Sequence, residues 1–171
     1  MSRSFVDIFS GAGGLSLGLV QAGWTPLVAI DNWDDAVATY SRNFNTHPVE
    51  KLDLHEATDR NLRSLIPERP DWVVGGPPCQ GFSTVGKRER SVPRILLVRE
   101  FARVVSVSKP GGVLIENVIG LRDMKFVDFI CELFEDLGYH LTPVVLAAAD
   151  YGVPQVRRRI FFVGTRERRR F

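Results

Sequence analysis

The chain has 171 residues, of which 44% are hydrophobic and 25% are charged, and its formal net charge at pH 7 is +2. This composition is that of a globular domain, and no apolar run approaches the roughly 20 residues that span a bilayer. The first residues also lack the longer apolar region and the cleavage site of a signal peptide. We therefore expect a single cytoplasmic domain over residues 1–171, with no membrane partner.

Apolar segments alternate with amphipathic ones along the whole chain. In chain order, the pattern predicts strands at 4–9, 25–31, 49–54, 71–76, 110–118, 139–149 and 158–164, and helices at 13–23, 33–44, 58–66, 97–105 and 125–137. Repeated β-then-α units predict an α/β fold, with a mostly parallel sheet and helices on both faces. The last two strands follow one another without a helix, so we expect them to pair as an antiparallel hairpin.

Four loops follow the carboxyl ends of predicted strands. They cover residues 10–14, 31–33, 76–93 and 116–120. Ligands of open α/β sheets bind beyond this edge of the sheet. We therefore expect the functional residues to lie in or beside these loops.

The first of these loops, FSGAGG (9–14), joins a predicted strand to a predicted helix. Glycine permits a tight turn and close approach to a ligand, although Gly11, Gly13 and Gly14 do not complete the dinucleotide fingerprint. Asp31 ends the second strand about 20 residues later, where a carboxylate can bind ribose hydroxyls. The two features together indicate an adenosine-containing cofactor. Asp53 can accept a hydrogen bond from the adenine amino group, or it is a solvated loop acid.

The loop GGPPCQGFS (75–83) places Cys79 directly after Pro77 and Pro78. The two prolines hold the backbone in one shape, as a nucleophile requires. The other cysteine, Cys131, lies on an amphipathic helix and is interpreted as a small helix residue without chemistry. Two cysteines in such different settings argue against a disulfide framework or a zinc site, so no metal is expected.

Charged residues near the end of the chain are further candidates. Glu116 follows an apolar strand and is either a proton donor or a strand-end acid in a salt bridge. Alternation along an extended chain would point Gln155, Arg157 and Arg159 the same way, towards a phosphate or a loop. The KRER run (87–90) is either solvated surface or a contact with nucleic-acid phosphates, and its cations could favour a thiolate at Cys79.

The motifs in this order resemble the DNA (cytosine-5)-methyltransferases. The matching segments are DIFSGAGGLSLGL, Asp31 after a strand, Asp53, GGPPCQGFS, ENV (116–118) and QVRRR (155–159). The resemblance extends over essentially the whole chain. It implies a Rossmann-like fold that binds S-adenosyl-L-methionine and double-stranded DNA.

The resemblance also implies roles for the residues of the cofactor site. Phe9 and the Gly11–Gly14 turn would pack against the cofactor, Asp31 would hold its ribose, and Asp53 would hold its adenine. Asn32 or Trp33 would flank the adenine ring, and Pro77 would also belong to this site.

For the reaction, the resemblance implies that cytosine is flipped out of the DNA stack. Cys79 would attack C6 of the base as a thiolate, while Glu116 would hold N3 and the exocyclic amine and donate a proton. C5 would then accept the methyl group, and Cys79 would leave once a base has removed the C5 proton. Arg159 would contact the pyrimidine, and Arg157 would brace the cysteine loop.

Two features depart from the family pattern. Val92 and Ile95 stand where the family has an acid and an asparagine, and no target-recognition region or Gly-Asn-x-Val-Pro segment is present before Phe171. Three interpretations remain open. The chain is one piece of a methyltransferase, either truncated or working with a second chain that supplies target recognition; or it is a degenerate, inactive remnant that could still bind cofactor or a partner; or it is an enzyme acting on tRNA. We expect the isolated chain to methylate DNA poorly or not at all.

Overall fold

The computed structural model describes residues 3–66, 69–78, 92–119 and 124–167. This part of the chain forms a seven-stranded sheet with flanking helices. The strands are β1 (Ser4–Ile8), β2 (Thr25–Asp31), β3 (Val49–Lys51), β4 (Trp72–Gly75), β5 (Gly112–Val118), β6 (His140–Ala147) and β7 (Arg158–Thr165). The helices are α1 (Gly14–Gln21), α2 (Asp34–Asn43), α3 (Asp59–Leu65), α4 (Val92–Ser108) and α5 (Met124–Glu135), and a short 3-10 helix covers Ala148–Tyr151.

The strands lie in the order β3-β2-β1-β4-β5-β7-β6. The neighbours from β3 to β5 are parallel, whereas β7 is antiparallel to both β5 and β6. This arrangement confirms the predicted α/β fold and the terminal hairpin. The chain leaves β1 towards β2 on one side and returns as β4 on the other, which opens a crevice at the carboxyl ends of β1 and β4.

Side chains alternate between the two faces of the sheet, and helices cover both faces. On one face, Val6 and Ile8 of β1 belong to a buried apolar cluster with Phe101 of α4 and Phe134 of α5. On the other face, Asp7 meets α1, where Ser16 donates a hydrogen bond to its carboxylate. The core therefore lies mainly between the sheet and α3, α4 and α5.

Several element boundaries differ from the sequence prediction. The third strand ends at Lys51 rather than at residue 54, because Asp53 begins a turn in which its Oδ1 accepts from the His55 N–H at 2.9 Å. The sixth strand ends at Ala147, and the residues after it form the 3-10 helix. Helix α4 begins at Val92, earlier than predicted, which is compatible with a proline in its first turn.

Among the described residues, no helix has the length and apolar character that crossing a membrane requires.

Candidate active site

The turn after β1 is built on unusual backbone angles. Phe9 has a φ of 57°, and Gly11 and Gly13 have φ values of 55° and 92°. The left-handed region disfavours side chains with a Cβ, so glycine suits the last two positions. The Ser10 N–H donates to the Ile30 carbonyl at 3.1 Å and ties the turn to the end of β2. Phe9 is thereby held at the mouth of the crevice, at a conformational cost that the surrounding contacts offset.

Gly13 is also required for packing. A Cβ at this position would overlap the Phe44 ring and would approach Tyr40 to 3.0 Å. These two aromatic side chains come from α2 and its carboxyl end, so α2 supports the glycine turn from below. The turn can therefore keep its position only while residue 13 has no side chain.

Asp31 joins two segments of the crevice through its carboxylate. Its Oδ2 accepts from the Gly11 N–H at 2.8 Å, and its Oδ1 accepts from the Trp33 N–H at 3.0 Å. Each oxygen keeps a lone pair that can accept a further hydrogen bond. Asp31 is therefore oriented by the protein and still able to bind a pair of hydroxyl groups.

Asn32 and Trp33 occupy different environments. Asn32 donates from Nδ2 to Asp53 Oδ2 at 3.2 Å, so its side chain is engaged with the acid predicted to meet adenine. Trp33 is 64% exposed, which leaves its ring free to cover a flat ligand. Of the two residues predicted to flank adenine, Trp33 therefore has the available surface.

Three adjoining cavities share Phe9 and follow the carboxyl edge of the sheet. A cavity of about 610 Å³ is lined by Gly11, Asp31 and Trp33, and one of about 180 Å³ is lined by Asp53. A third, of about 430 Å³, contains Glu116. We call these three cavities together the cleft. The first two have Pro78 in their walls, whereas Pro77 lies buried next to it.

A further cavity of about 630 Å³ lies at the opposite end of the strands. Its lining includes Arg3, Trp24 and Asp71. Each of these residues comes directly before a strand, at the end of the sheet opposite to the cleft. No predicted site residue contributes to this cavity, so it is separate from the candidate active site.

Glu116 lies at the centre of the charged part of the cleft. Its Oε1 is 3.0 Å from Arg159 Nε and 3.7 Å from Arg157 Nη2. On the other side, a Cβ at Gly76 would be 3.1 Å from Glu116 Oε2, so the absence of a side chain there makes room for the carboxylate. The structure thus brings together three of the four predicted catalytic residues.

Cys79, the fourth predicted catalytic residue, lies outside the described residues, as do Lys87, Arg88 and Arg90. The backbone that leads to Cys79 is described as far as Pro78. Buried Asn117 donates from Nδ2 to the Pro77 carbonyl at 3.2 Å, and its own Oδ1 accepts from the Val118 N–H. Asn117 therefore fixes the point at which the cysteine loop leaves the sheet. The place of Asn117 in ENV, beside Glu116, was a signal in the sequence that this residue matters. Its hydrogen-bond partner, the Pro77 carbonyl, could not be inferred from the sequence.

The prediction that Gln155, Arg157 and Arg159 alternate along an extended chain was wrong for Gln155. Strand β7 begins only at Arg158. Before it, the Gln155 N–H donates to the Val153 carbonyl, and the Arg157 N–H donates to the Gln155 carbonyl, at 2.7 and 2.8 Å. These bonds span two residues and form tight turns, which break the alternation. Arg157 and Arg159 nevertheless reach the same carboxylate.

Asp7 is a cleft residue that the sequence analysis missed. It is 1% exposed, lines the cavity that contains Glu116, and its Oδ1 has no hydrogen-bond partner among the described residues. Burial, together with the nearby charge of Asp31, raises its pKa from 3.8 to about 7, although the Ser16 hydrogen bond opposes this shift. An acid inside the apolar strand SFVDIF was the available signal.

The described residues contain no group of three or more His, Cys, Asp or Glu side chains that could hold a metal ion. Cys131 lies half-buried on α5, where burial and then the carboxylates of Asp128, Glu135 and Glu132 raise the pKa of its thiol. A raised pKa reduces the thiolate fraction. This environment agrees with the interpretation of Cys131 as a residue without chemistry.

The C-5 cytosine-specific DNA methylase family model matches residues 3–171. The chain is 43% identical over 161 residues to the type II methyltransferase M.HgiDI of Herpetosiphon aurantiacus, covering 94% of this chain and 52% of that protein. It is 44% identical to M1.HphI of Haemophilus parahaemolyticus, covering 98% of this chain and 47% of that protein. A solved structure named as a DNA modification methyltransferase from an E. coli prophage matches with a TM-score of 0.82 and 33% identity, over 96% of this chain and 47% of that one. The chain thus spans about half the length of these relatives.

Proposed function

Because the chain belongs to the C-5 cytosine-specific DNA methylase family, we propose that it supplies the catalytic and cofactor-binding domain of a DNA (cytosine-5)-methyltransferase. In this proposal, residues 1–171 form that domain, and the target-recognition and closing segments lie elsewhere. The observation that carries the proposal is the position of Glu116. It pairs with Arg159 and Arg157 in the same cleft as Phe9 and Asp31.

The residues of the cleft fit S-adenosyl-L-methionine as cofactor. Asp31 has oriented oxygens for ribose hydroxyls, and Asp53 and the exposed Trp33 ring suit adenine. In the turn from Phe9 to Gly14, the Phe9 ring offers an apolar surface, and the glycines let the backbone approach the methionine part of the cofactor closely. The free oxygen of buried Asp7 suits a cationic group. When bound, the cofactor would supply the methyl group.

The protein residues would prepare the cytosine for this transfer. Cys79, as a thiolate, would form a bond to C6 of the flipped base, and Glu116 would hold N3 and the exocyclic amine as electron density moves into the ring. Arg159 would support the pyrimidine, and Arg157 would brace the cysteine loop. After transfer, a base removes the C5 proton, the electrons of that bond restore the ring double bond, and the thiolate leaves C6.

DNA is the substrate in this proposal, and a second chain that supplies the target-recognition region would complete the enzyme. The match covers 52% of M.HgiDI and 47% of M1.HphI, so the remainder of each relative has no counterpart in residues 1–171. The DNA sequence recognised would be decided by residues other than 1–171.

The test uses Cys79→Ser and, as the matched control, Cys131→Ala. Binding of S-adenosyl-L-methionine is measured by calorimetry on the chain alone. Covalent capture on DNA containing 5-fluorocytosine is measured with the remaining half of M.HgiDI added. We expect cofactor binding by all three proteins, and capture by the wild type and Cys131→Ala only. Absence of cofactor binding, or capture that survives Cys79→Ser, would contradict the proposal.

A further inference from the structure

Three side chains connect the buried carboxyl group of Asp7 to the protein surface. Ser16 Oγ donates to Asp7 Oδ2 at 2.6 Å, and the Tyr40 hydroxyl donates to Ser16 Oγ at 2.7 Å. The same Tyr40 hydroxyl lies 2.8 Å from His47 Nε2. Asp7, Ser16 and Tyr40 are buried, whereas His47 is partly exposed. We call these four residues the hydrogen-bond chain.

The direction of the hydrogen-bond chain depends on the protonation of its two ends. When Asp7 is ionised it can only accept, so Ser16 donates to it and Tyr40 donates to Ser16. The Tyr40 oxygen must then accept from His47 Nε2. When the proton is on Asp7 Oδ2, each donor can reverse, and Tyr40 donates to a neutral His47. A protonated His47 therefore favours ionised Asp7, whereas burial, which lowers the pKa of His47, favours the neutral ring that allows either direction.

The other carboxylate oxygen of Asp7 faces a different environment. Oδ1 has no hydrogen-bond partner among the described residues, although Asp7 lines the cavity with Glu116 and Arg157. Asp31 of β2 is another charged group near Asp7. On the side of the sheet where α2 packs, the titratable groups that connect to Asp7 are Tyr40 and His47. A buried oxygen without a partner is costly, and a ligand donor in this cavity would satisfy it.

We propose that His47 is a positioning residue for the cleft, because the hydrogen-bond chain carries its protonation to Asp7 and so decides whether Oδ1 presents a carboxylate to a cationic group of the ligand. We take this cationic group to be the α-ammonium group of S-adenosyl-L-methionine, and this identification rests on the proposed function. The coupling of His47 to Asp7 rests on the hydrogen-bond chain alone.

Packing around Tyr40 and His47 favours coupling of His47 to Asp7 through the hydrogen-bond chain. Tyr40 is packed under Gly13, and its ring centroid lies 4.6 Å from that of Phe44, so packing fixes the position of its hydroxyl oxygen while the O–H bond can turn towards Ser16 or His47. His47 is held in place by Tyr40 on one ring nitrogen and by Thr46 Oγ1, 3.2 Å from the other. Ser16 is buried, and the centroid of the His47 ring lies 5.5 Å from those of both Tyr40 and Phe44, so packing helps to hold both neighbours of Tyr40 in the hydrogen-bond chain.

The coupling is tested by following the side-chain carboxyl signal of Asp7 in carbon-13 NMR across pH. His47→Gln keeps a hydrogen-bond donor but removes the titrating ring, and it should raise the Asp7 midpoint by about 0.5 pH unit. In a Tyr40→Phe background the same substitution should have no effect. His140→Gln, a change of the same type on β6, is the matched control. If Tyr40→Phe does not fold, Ser16→Ala interrupts the hydrogen-bond chain at another link.

An Asp7 midpoint that stays the same in His47→Gln, or that moves equally in His140→Gln, would overturn the inference. A shift that persists in the Tyr40→Phe background would also overturn it, since the coupling would then pass through space. A second measurement follows the affinity for S-adenosyl-L-homocysteine, which should rise with pH as Asp7 ionises, with its midpoint displaced in His47→Gln. If no variant binds this ligand, the proposed cofactor is wrong, while the Asp7 midpoint still decides the coupling.

Discussion

Arg159 reaches Glu116 diagonally across the antiparallel pair of β5 and β7, with Nε 3.0 Å from Oε1. Directly opposite Glu116 is Phe161, and opposite Val118 is Arg159. Residues two apart on a strand share a face, so Arg159 and Phe161 lie on the face of Glu116. The hairpin that ends the sheet thus brings a guanidinium group to the carboxylate at the end of a parallel strand.

We expect Arg159→Gln to reduce methyl transfer by about 100-fold or more, because it removes a fixed positive group from Glu116, the carboxylate that we propose holds the cytosine. Cofactor binding should change little, since Arg159 is absent from the walls of the cavities around Asp31 and Asp53. Transfer of labelled methyl groups to DNA is measured with the remaining half of M.HgiDI added, and cofactor binding is measured by calorimetry on the chain alone. Arg158→Gln, an exposed neighbour on the same strand, is the control and should retain activity. Equal losses in the two variants would rule out a specific role.

Gly13→Ala should destabilise the protein by about 1–3 kcal/mol and weaken cofactor binding. The reason is its φ of 92° together with the overlap of the added methyl group with Phe44. Urea denaturation measures the free energy of unfolding. Gly18→Ala is the matched control, because nothing lies within 4 Å of its Cβ and it is within α1. That change should stabilise the protein by about 0.5–1 kcal/mol, and destabilisation of similar size in both variants would contradict the packing argument.

Asp31→Asn leaves a single carboxamide oxygen to accept the two N–H groups of Gly11 and Trp33. We expect cofactor affinity to fall by about 10-fold or more, because the diol loses an ionised acceptor and the turn loses a fixed partner. Isothermal titration with S-adenosyl-L-homocysteine measures this change. Asp34→Asn removes a neighbouring acid that pairs with Lys51 at the surface, and this variant should bind as the wild type does. Unchanged affinity in Asp31→Asn would disprove the role of Asp31.

Asn117→Ala should slow capture of 5-fluorocytosine DNA by about 10-fold or more, because the Pro77 carbonyl loses its donor and the cysteine loop loses its anchor. Affinity for S-adenosyl-L-methionine should be nearly unchanged. Capture rates under single-turnover conditions, with the remaining half of M.HgiDI added, give the comparison. Val118→Ala alters the next, more exposed residue and serves as the control. If both variants capture DNA at the wild-type rate, the anchor has no catalytic importance.

The pH dependence of stability should report the buried Asp7 carboxyl group. Burial raises its pKa from 3.8 in the unfolded chain to about 7. Between these two pH values, the folded protein therefore holds a proton that the unfolded chain releases. The stabilisation of the folded state by this proton is fully present below pH 3.8 and is lost as the pH rises through about 7.

Asp7→Asn cannot titrate, so its free energy of unfolding relative to the wild type should increase as the pH rises from about 5 to about 8. Urea denaturation at several pH values measures both proteins under the same conditions. A difference between them that stays constant across this range would show that Asp7 does not titrate there.

Much of the fold could be predicted because its causes are local. Apolar runs and amphipathic segments alternate along the chain, and the second predicted strand, 25–31, agrees with the observed β2, Thr25–Asp31. Prediction failed where a side chain competes with the backbone, as at Asp53, whose turn ends β3 early. It failed again before β7, where tight turns displace Gln155 from the strand.

The sequence by itself determined the α/β order, the family and the set of residues at the carboxyl edge of the sheet, because strand periodicity and ordered motifs are written in consecutive positions. Only the tertiary structure decided which of these residues meet. Asn117 binds the Pro77 carbonyl from 40 positions away, and Tyr40 joins Ser16 from 24 positions away. Such pairs depend on the lateral order of the strands and on where helices pack, which no local pattern encodes.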